Sequence, residues 1–266
     1  MIDHRWQLWL VVWAATTLVL APLYLRQRRT RNATSVDLGW AVAVVVAAVT
    51  AAAFGPGDAS HRVLIVVIAG LENLRIAVLV GLRLGTEEDS RYRELRARWA
   101  ARGREQRTFA VFYEAQALVA ALLALPFVLA AFNRQPGLEA VEWVGAALWL
   151  VAAPLELVAD EQLRRFKADP ANRGKTMRSG LWRTSRHPNY FFQTLTWLAY
   201  GLVAVAAPWG WLGFLSYGLI LALVLFVTGI PPAEEAALRS RGDDFRRYQR
   251  ETSAFIPWFP RSSTGS

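Results

Sequence analysis

Four strong hydrogen-bond donors, Arg183, Arg186, His187 and Asn189, fall within seven positions of GLWRTSRHPNYFFQ, residues 180–193, a stretch that then runs straight into apolar sequence. Two guanidiniums, an imidazole and a carboxamide present N–H groups suited to phosphate or carboxylate oxygens. At the mouth of a hydrophobic segment they predict an anionic ligand held where water meets bilayer. Neighbouring segments offer matching chemistry. Glu156 and Asp160 are four apart on one helix face, and Arg164 and Lys167 continue along that side. Acids followed by bases suit a ribose and then a phosphate; a self-satisfied ladder of salt bridges suits the spacing equally. The turn FKADPANRGK, residues 166–175, breaks the helix at Pro170 and Gly174 and offers Lys167, Asn172, Arg173 and Lys175 as a phosphate clamp. Farther on, Glu234 and Glu235 follow a double proline. They either open a helix, whose dipole favours acids there, or neutralise an Arg or bond a ribose.

Other ionisable residues interrupt apolar blocks, where each is expensive and therefore a functional candidate. Glu72 and Arg75 share a helix face beside Asn73 and can pair. Asp37, in SVDLGW, reads as a proton donor, or else Ser35 or Asp37 simply caps the helix. Tyr113, Glu114 and Gln116 open another block near its edge. The chain has no Cys and three His, so thiolate chemistry is excluded and no metal site is expected.

The elements that must position these groups are membrane helices. With 54% hydrophobic residues, 12 Trp and a mean hydropathy of +0.23, the chain is too apolar for a soluble domain of its length. Apolar stretches able to cross roughly 30 Å of hydrocarbon occur at 6–25, 38–54, 63–84, 109–132, 141–158, 191–207 and 211–230. The expected fold is therefore all-α, a polytopic bundle of seven transmembrane helices. Arg and Lys crowd the loops after the first, third and fifth stretches and are nearly absent from the others. That alternation places the N-terminus outside and the C-terminus in the cytoplasm, and it accounts for the net charge of +9 without a nucleic-acid partner. The strong basic cluster follows the first apolar run instead of preceding it, so that run reads as a retained span and not a cleaved signal. Residues 87–107 alternate acids and Arg at helical spacing and predict a short amphipathic helix, solvated beside the bilayer and paired with lipid head groups. Pro208-Trp209-Gly210 predicts a tight hairpin. A single membrane domain, 1–260, is expected, with a disordered tail at 261–266.

The run 160–193, DEQLRRFKADPANRGKTMRSGLWRTSRHPNYFFQ, with the later GIPPAEE and FRRYQRETSAFIP segments, resembles bacterial membrane proteins related to the C-terminal domain of steroid 5-alpha-reductases. More distantly, the RHPNY, Glu-Glu and Tyr pattern resembles isoprenylcysteine carboxyl methyltransferases and sterol reductases. The resemblance implies an inner-membrane protein whose residues 136–260 take NADPH from the cytoplasm, and whose residues 1–135 face a hydrophobic enone drawn from the bilayer. It implies that Glu156, Asp160, Lys167, Asn189 and Tyr248 line the cofactor. Arg183, Arg186, His187 and Tyr190 belong to the part of the motif shared with the methyltransferases, and Glu235 to the acidic pair. By position, Asp37 and Glu72 correspond to carbonyl-activating acids. The implied reaction delivers hydride to the β carbon of a conjugated double bond, while an acid kept protonated by its apolar setting bonds the carbonyl oxygen. Two positions depart from the pattern: Thr184 stands where relatives carry Tyr, and Gln193 where they carry Glu. Methyl transfer from S-adenosylmethionine is the rival enzymatic reading; it leaves the basic turn without a role, since that cofactor has no phosphate and NADPH has three. A non-catalytic lipid-binding protein is the third, supported by Gln193.

Overall fold

A computed structural model describes residues 1–82, 84 and 87–261. It is all-helical: α1 (Arg5–Thr30), α2 (Val36–Phe54), α3 (Ala59–Gly81), α4 (Ser90–Ala100), α5 (Glu105–Leu123), α6 (Leu125–Ala130), α7 (Ala140–Ala168), α8 (Pro188–Val205), α9 (Phe214–Ala222) and α10 (Ile230–Glu251), with no strand among the described residues. A π-helical turn, Leu223–Val227, joins α9 to α10. Helices α1, α2, α3 and α7 and the run Gly210–Glu251 are long and apolar enough to cross a membrane. The expected spans at 109–132 and 191–207 fall mainly on α5 and α8, and composition alone does not mark these as crossings. Glu105, Arg107, Glu114 and Gln116 dilute the first; Asn189, Gln193, Thr194 and Thr196 dilute the second.

The helices gather into two compact units. Residues 1–144 and 200–216 form one, and 145–199 with 217–266 the other. The first is a bundle of α1, α2, α3 and α5 packed through small residues. Ala41, Ala43, Ala47, Ala48 and Ala51 of α2 are fully buried, which lets neighbouring backbones approach closely. Leu18, Val63 and Leu71 on the outer faces stay exposed, as lipid-facing side chains do. The expected boundary near residue 135 does not separate these units, because residues 200–216 return to the first. Tyr200 stacks edge-on against Phe127 at 5.3 Å, and Ser216 Oγ donates to Leu122 O at 3.1 Å. The expected hairpin is present. A Cβ on Gly210 would sit 1.8 Å from Ala204 O, so only glycine closes it.

The expected amphipathic helix is also present, as α4, and it is docked on the bundle. Arg96 is buried, donating to Glu88 at 2.8 Å and Glu105 at 2.5 Å while its guanidinium lies 4.6 Å over Phe109. Glu88 Oε1 accepts from Ala33 N at 2.8 Å, and Arg91 and Tyr92 donate to Asp37 at the start of α2. These contacts shift titrations at the bundle's Arg-rich end. Arg91, by its side-chain hydrogen bond, holds Asp89 below the usual carboxylate range. Burial and then the Asp37 charge push the Tyr92 hydroxyl up. Glu88 is held low although burial opposes it, because bonds from Arg96 and Ala33 N outweigh that penalty. The expected tail continues beyond Arg261, outside the described residues.

Candidate functional site

The second unit assembles the donor-rich stretch from both sides. A turn of 3-10 helix, Gly180–Arg183, lies on α7: Gln162 Oε1 accepts from Leu181 N at 3.0 Å, and Trp182 Nε1 donates to Ala159 O at 2.9 Å. Gly180 has φ +60, and a Cβ there would meet the Gln162 side chain at 2.5 Å, so geometry and space both demand glycine. On the other side α10 and the residues after it close over the turn. Tyr248 OH donates to Trp182 O and, at 3.1 Å, to Ser185 O. Arg186 Nε donates to Glu234 Oε1 at 2.7 Å, and its Nη1 donates to the carbonyls of Gln249 and Thr252. His187 Nε2 lies 3.2 Å from the same Glu234 oxygen, and Gln249 Nε2 donates to Glu234 Oε2 at 2.7 Å.

This scaffold encloses a cavity of about 440 Å³, walled by Thr176, Met177, His187, Asn189, Tyr190, Ala237, Arg241 and Tyr248 among others. Asn189 Nδ2 donates to Asp160 Oδ1 at 3.0 Å, whereas Asn189 Oδ1 is buried with no hydrogen-bond partner. Thr176 N is held by Asp244 Oδ2 at 2.9 Å, whereas Thr176 Oγ1 is likewise buried and unpartnered. Two orphaned polar atoms on one cavity wall are costly unless a ligand satisfies them. The His187 and Tyr190 rings stack 5.4 Å apart and nearly parallel, presenting a flat wall. A second cavity of about 430 Å³ shares Leu163, Lys167 and Arg241 with the first and is otherwise built from the turn 166–175, including Arg173 and Lys175. Lys167, Arg173, Lys175 and Arg241 thus join Arg186 around two adjoining spaces, one of which carries the orphaned acceptor and hydroxyl.

Residues 23–252 match the family model described as "Protein of unknown function (DUF1295)". The chain belongs to the DUF1295 family. That family is associated with steroid 5-alpha-reductase-like proteins. A Schizosaccharomyces pombe member of the curated proteins, described as uncharacterized, is 27% identical over 258 residues, which covers 86% of this chain and 73% of the relative. No solved structure matches the chain.

Several expected site residues of this family member lie elsewhere. Arg164 donates twice to Glu161, at 2.6 and 2.7 Å, and lines neither cavity; Arg165 shares that carboxylate. Of the two alternatives for α7, a local ladder therefore describes Arg164, while Lys167 faces both spaces. Glu156 is buried on α7 outside the cavity wall. Asn172 lines the second cavity, but its Nδ2 is engaged by Phe166 O at 3.1 Å, closing the turn. Arg183 is exposed and lines neither space. Glu235 points outward and pairs with Arg239 at 2.5 Å; Glu234, its neighbour, holds Arg186 and His187. Arg186, His187 and Tyr248 line the cavity while bracing it, because Arg186 Nε and Nη1, His187 Nε2 and Tyr248 OH are already bonded to protein. Thr176 and Arg241 were not anticipated. The helical spacing of Ala233, Ala237 and Arg241 in α10 carried that signal for Arg241.

In the first unit, Asp37 accepts from Arg91 Nη2 at 2.9 Å and from Tyr92 OH, and so serves as an acceptor that holds α4. Glu72 is 4% exposed and accepts from Arg75 Nη2 at 2.5 Å. Glu114 ties α5 to α1 by accepting from Trp13 Nε1 at 2.8 Å.

Proposed function

We propose that the protein is an NADPH-dependent membrane reductase of a carbon-carbon double bond conjugated to a carbonyl in a steroid-like or other lipidic molecule. The observation that carries this reading is the cationic cup formed by Lys167, Arg173, Lys175 and Arg241 beside the cavity with the unpartnered Asn189 Oδ1 and Thr176 Oγ1. A dinucleotide with three phosphates asks for cations at one end and hydrogen-bonding groups for a ribose and carboxamide at the other. Both donor sets are present in one unit.

When bound, NADPH supplies the hydride. Arg173, Lys175, Lys167 and Arg241 neutralise phosphate charge, and Asn189, fixed by Asp160, orients the polar edge of the ligand. Arg186 and Glu234 keep the RHPN run in place. Both acids implied for carbonyl activation accept hydrogen bonds from the protein, Asp37 from Arg91 and Tyr92 and Glu72 from Arg75, and we assign the role to the Glu72–Arg75 pair. Arg75 carries five N–H donors and helps to stabilise negative charge on a substrate oxygen. The seven-crossing arrangement belongs to this reading, with α5 and α8 as crossings, the N-terminus outside and the Arg-rich loops in the cytoplasm. The absence of Cys makes single-cysteine labelling direct: Arg29→Cys should react from the cytoplasmic side and Arg134→Cys from the other.

The deciding experiment is thermal stabilisation of the protein in nanodiscs by NADPH, NADH and S-adenosylmethionine, followed by NADPH oxidation with a panel of hydrophobic enones. Stabilisation by NADPH above the other two is expected. Stabilisation by S-adenosylmethionine alone would reassign the protein to methyl transfer, and none by any of the three would favour a non-catalytic lipid binder.

A further inference from the structure

At the end of the first unit opposite its Arg-rich loops lies a further cavity that has no part in the reductase reading. The start of α1, the segment 132–139 and the hairpin 206–208 enclose a cavity of about 600 Å³. Its cations are Arg5 and Arg134 and its acids Asp3 and Glu139; none of these four forms an ion pair among the described residues. Asn133, 1% exposed, lines the cavity with Nδ2 buried and unpartnered, and Arg5 Nε is buried without a partner while its guanidinium lies 5.1 Å over Phe132. Buried donors left open in this way are satisfied by an anion.

The walls are preorganised. Gly57 N and Asp58 N donate to Ala131 O and Asn133 O at 2.8 and 2.7 Å. Below them His61 bridges Glu142, at 2.6 Å, and Gln135 O, at 2.8 Å, with both side chains fully buried. The depth is also marked. Trp6, Trp143, Trp209 and Trp211, at this same end, are each about 60% exposed, as in an interfacial aromatic belt. The cavity therefore opens where lipid head groups lie. Unpaired cations with a buried amide donor suit a phosphate, and unpaired acids in the same space suit a primary ammonium.

We propose that this cavity binds the zwitterionic head group of an aminophospholipid, with Arg5 and Asn133 on the phosphate and Asp3 and Glu139 on the ammonium. The test is native mass spectrometry of delipidated protein, without NADPH, titrated with phosphatidylethanolamine, phosphatidylcholine, phosphatidylglycerol and inorganic phosphate. Phosphatidylethanolamine should bind about ten-fold more tightly than phosphatidylcholine, whose methylated amine donates no hydrogen bond. Asp3→Asn with Glu139→Gln, at exposed positions, should remove that preference, and Arg5→Gln should weaken both lipids. Equal binding of the two zwitterionic lipids, tighter phosphatidylglycerol, or an unchanged preference in the acid variant would each overturn the proposal. Competition by inorganic phosphate at equal affinity would also overturn it and make the site one for a free anion. None of these results depends on reductase activity.

Discussion

Arg186 Nε donates to Glu234 Oε1 at 2.7 Å with both side chains mostly enclosed, whereas Glu235, the next residue, pairs with Arg239 in open solvent. Two adjacent acids therefore have opposite importance. Removing Glu234 strands a guanidinium, with His187 and Gln249 also losing their acceptor. Glu234→Ala should cost about 3 kcal/mol of stability, the range for breaking an enclosed pair. Glu235→Ala should cost no more than about 0.5 kcal/mol, as exposed helix pairs do. Denaturation of both variants in the same detergent checks this; equal losses would mean that Glu234 does not brace the RHPN run.

The cationic cup makes a selectivity prediction. Arg173→Ala with Lys175→Ala should weaken NADPH binding at least about ten-fold, since a charged hydrogen bond contributes roughly 1.5–3 kcal/mol. NADH, lacking the 2′-phosphate, should be weakened less. Arg164→Ala should leave both affinities unchanged, because Glu161 already holds that guanidinium. Calorimetric titration of the three proteins with both nucleotides decides it, and a fall for Arg164→Ala as large as for the double variant would contradict the placement of the cup.

The types of side chain needed here were legible in the sequence, and their orientation much less so. The RHPN donors and the basic turn were legible from spacing together with family resemblance; Arg186, His187 and Asn189 line one cavity, while Arg173 and Lys175 line the adjoining one. Which of Glu234 and Glu235 turns inward depends on the phase with which α10 starts after Gly229, and two consecutive acids carry no phase. Arg164 was assigned to a ligand because spacing showed Asp160 and Lys167 along its side; Glu161, which takes it, lies three positions away as well. Thr176 was invisible for another reason. Its exposure to the cavity depends on Asp244 capturing its amide from 68 residues away, a contact no local pattern reports. The same limit applies to α4, whose amphipathic pattern is right for a surface helix, while Arg96 reaches Glu88, Glu105 and Gln27 through tertiary docking.

Gly180 tests whether the turn beneath the cavity positions the site. Its φ of +60 and the 2.5 Å approach of Gln162 leave no place for a methyl group. Gly180→Ala should destabilise by about 1 kcal/mol from the backbone alone, and more from displacing Gln162, which holds Leu181 N. Because Trp182 and Asn189 follow on the same stretch, NADPH affinity should fall together with stability. Gly103, also at positive φ but with open space around its Cβ and away from both cavities, is the control: Gly103→Ala carries the backbone cost without the clash. Equal effects of the two substitutions on NADPH affinity would remove Gln162 from the argument.

The docked α4 should make stability depend on acid. Glu88 is held below the ordinary value of 4.5 by Arg96 and Ala33 N in spite of burial, while Arg96 stays charged throughout. A carboxylate whose pKa is lower in the folded state contributes stability that is complete above the unfolded value. That contribution falls as pH drops through the folded one. Melting temperature should therefore decline as pH is lowered below about 4.5, and part of the decline should be absent in Glu88→Gln, which starts less stable at neutral pH and loses less on acidification. Asp89, lowered by Arg91, adds a component in the same direction, and Asp89→Asn should remove that component alone. Thermal melts of the three proteins between neutral pH and the onset of aggregation give the comparison. Parallel pH profiles for wild type and Glu88→Gln would show that the Arg96 cluster does not hold α4 to the bundle.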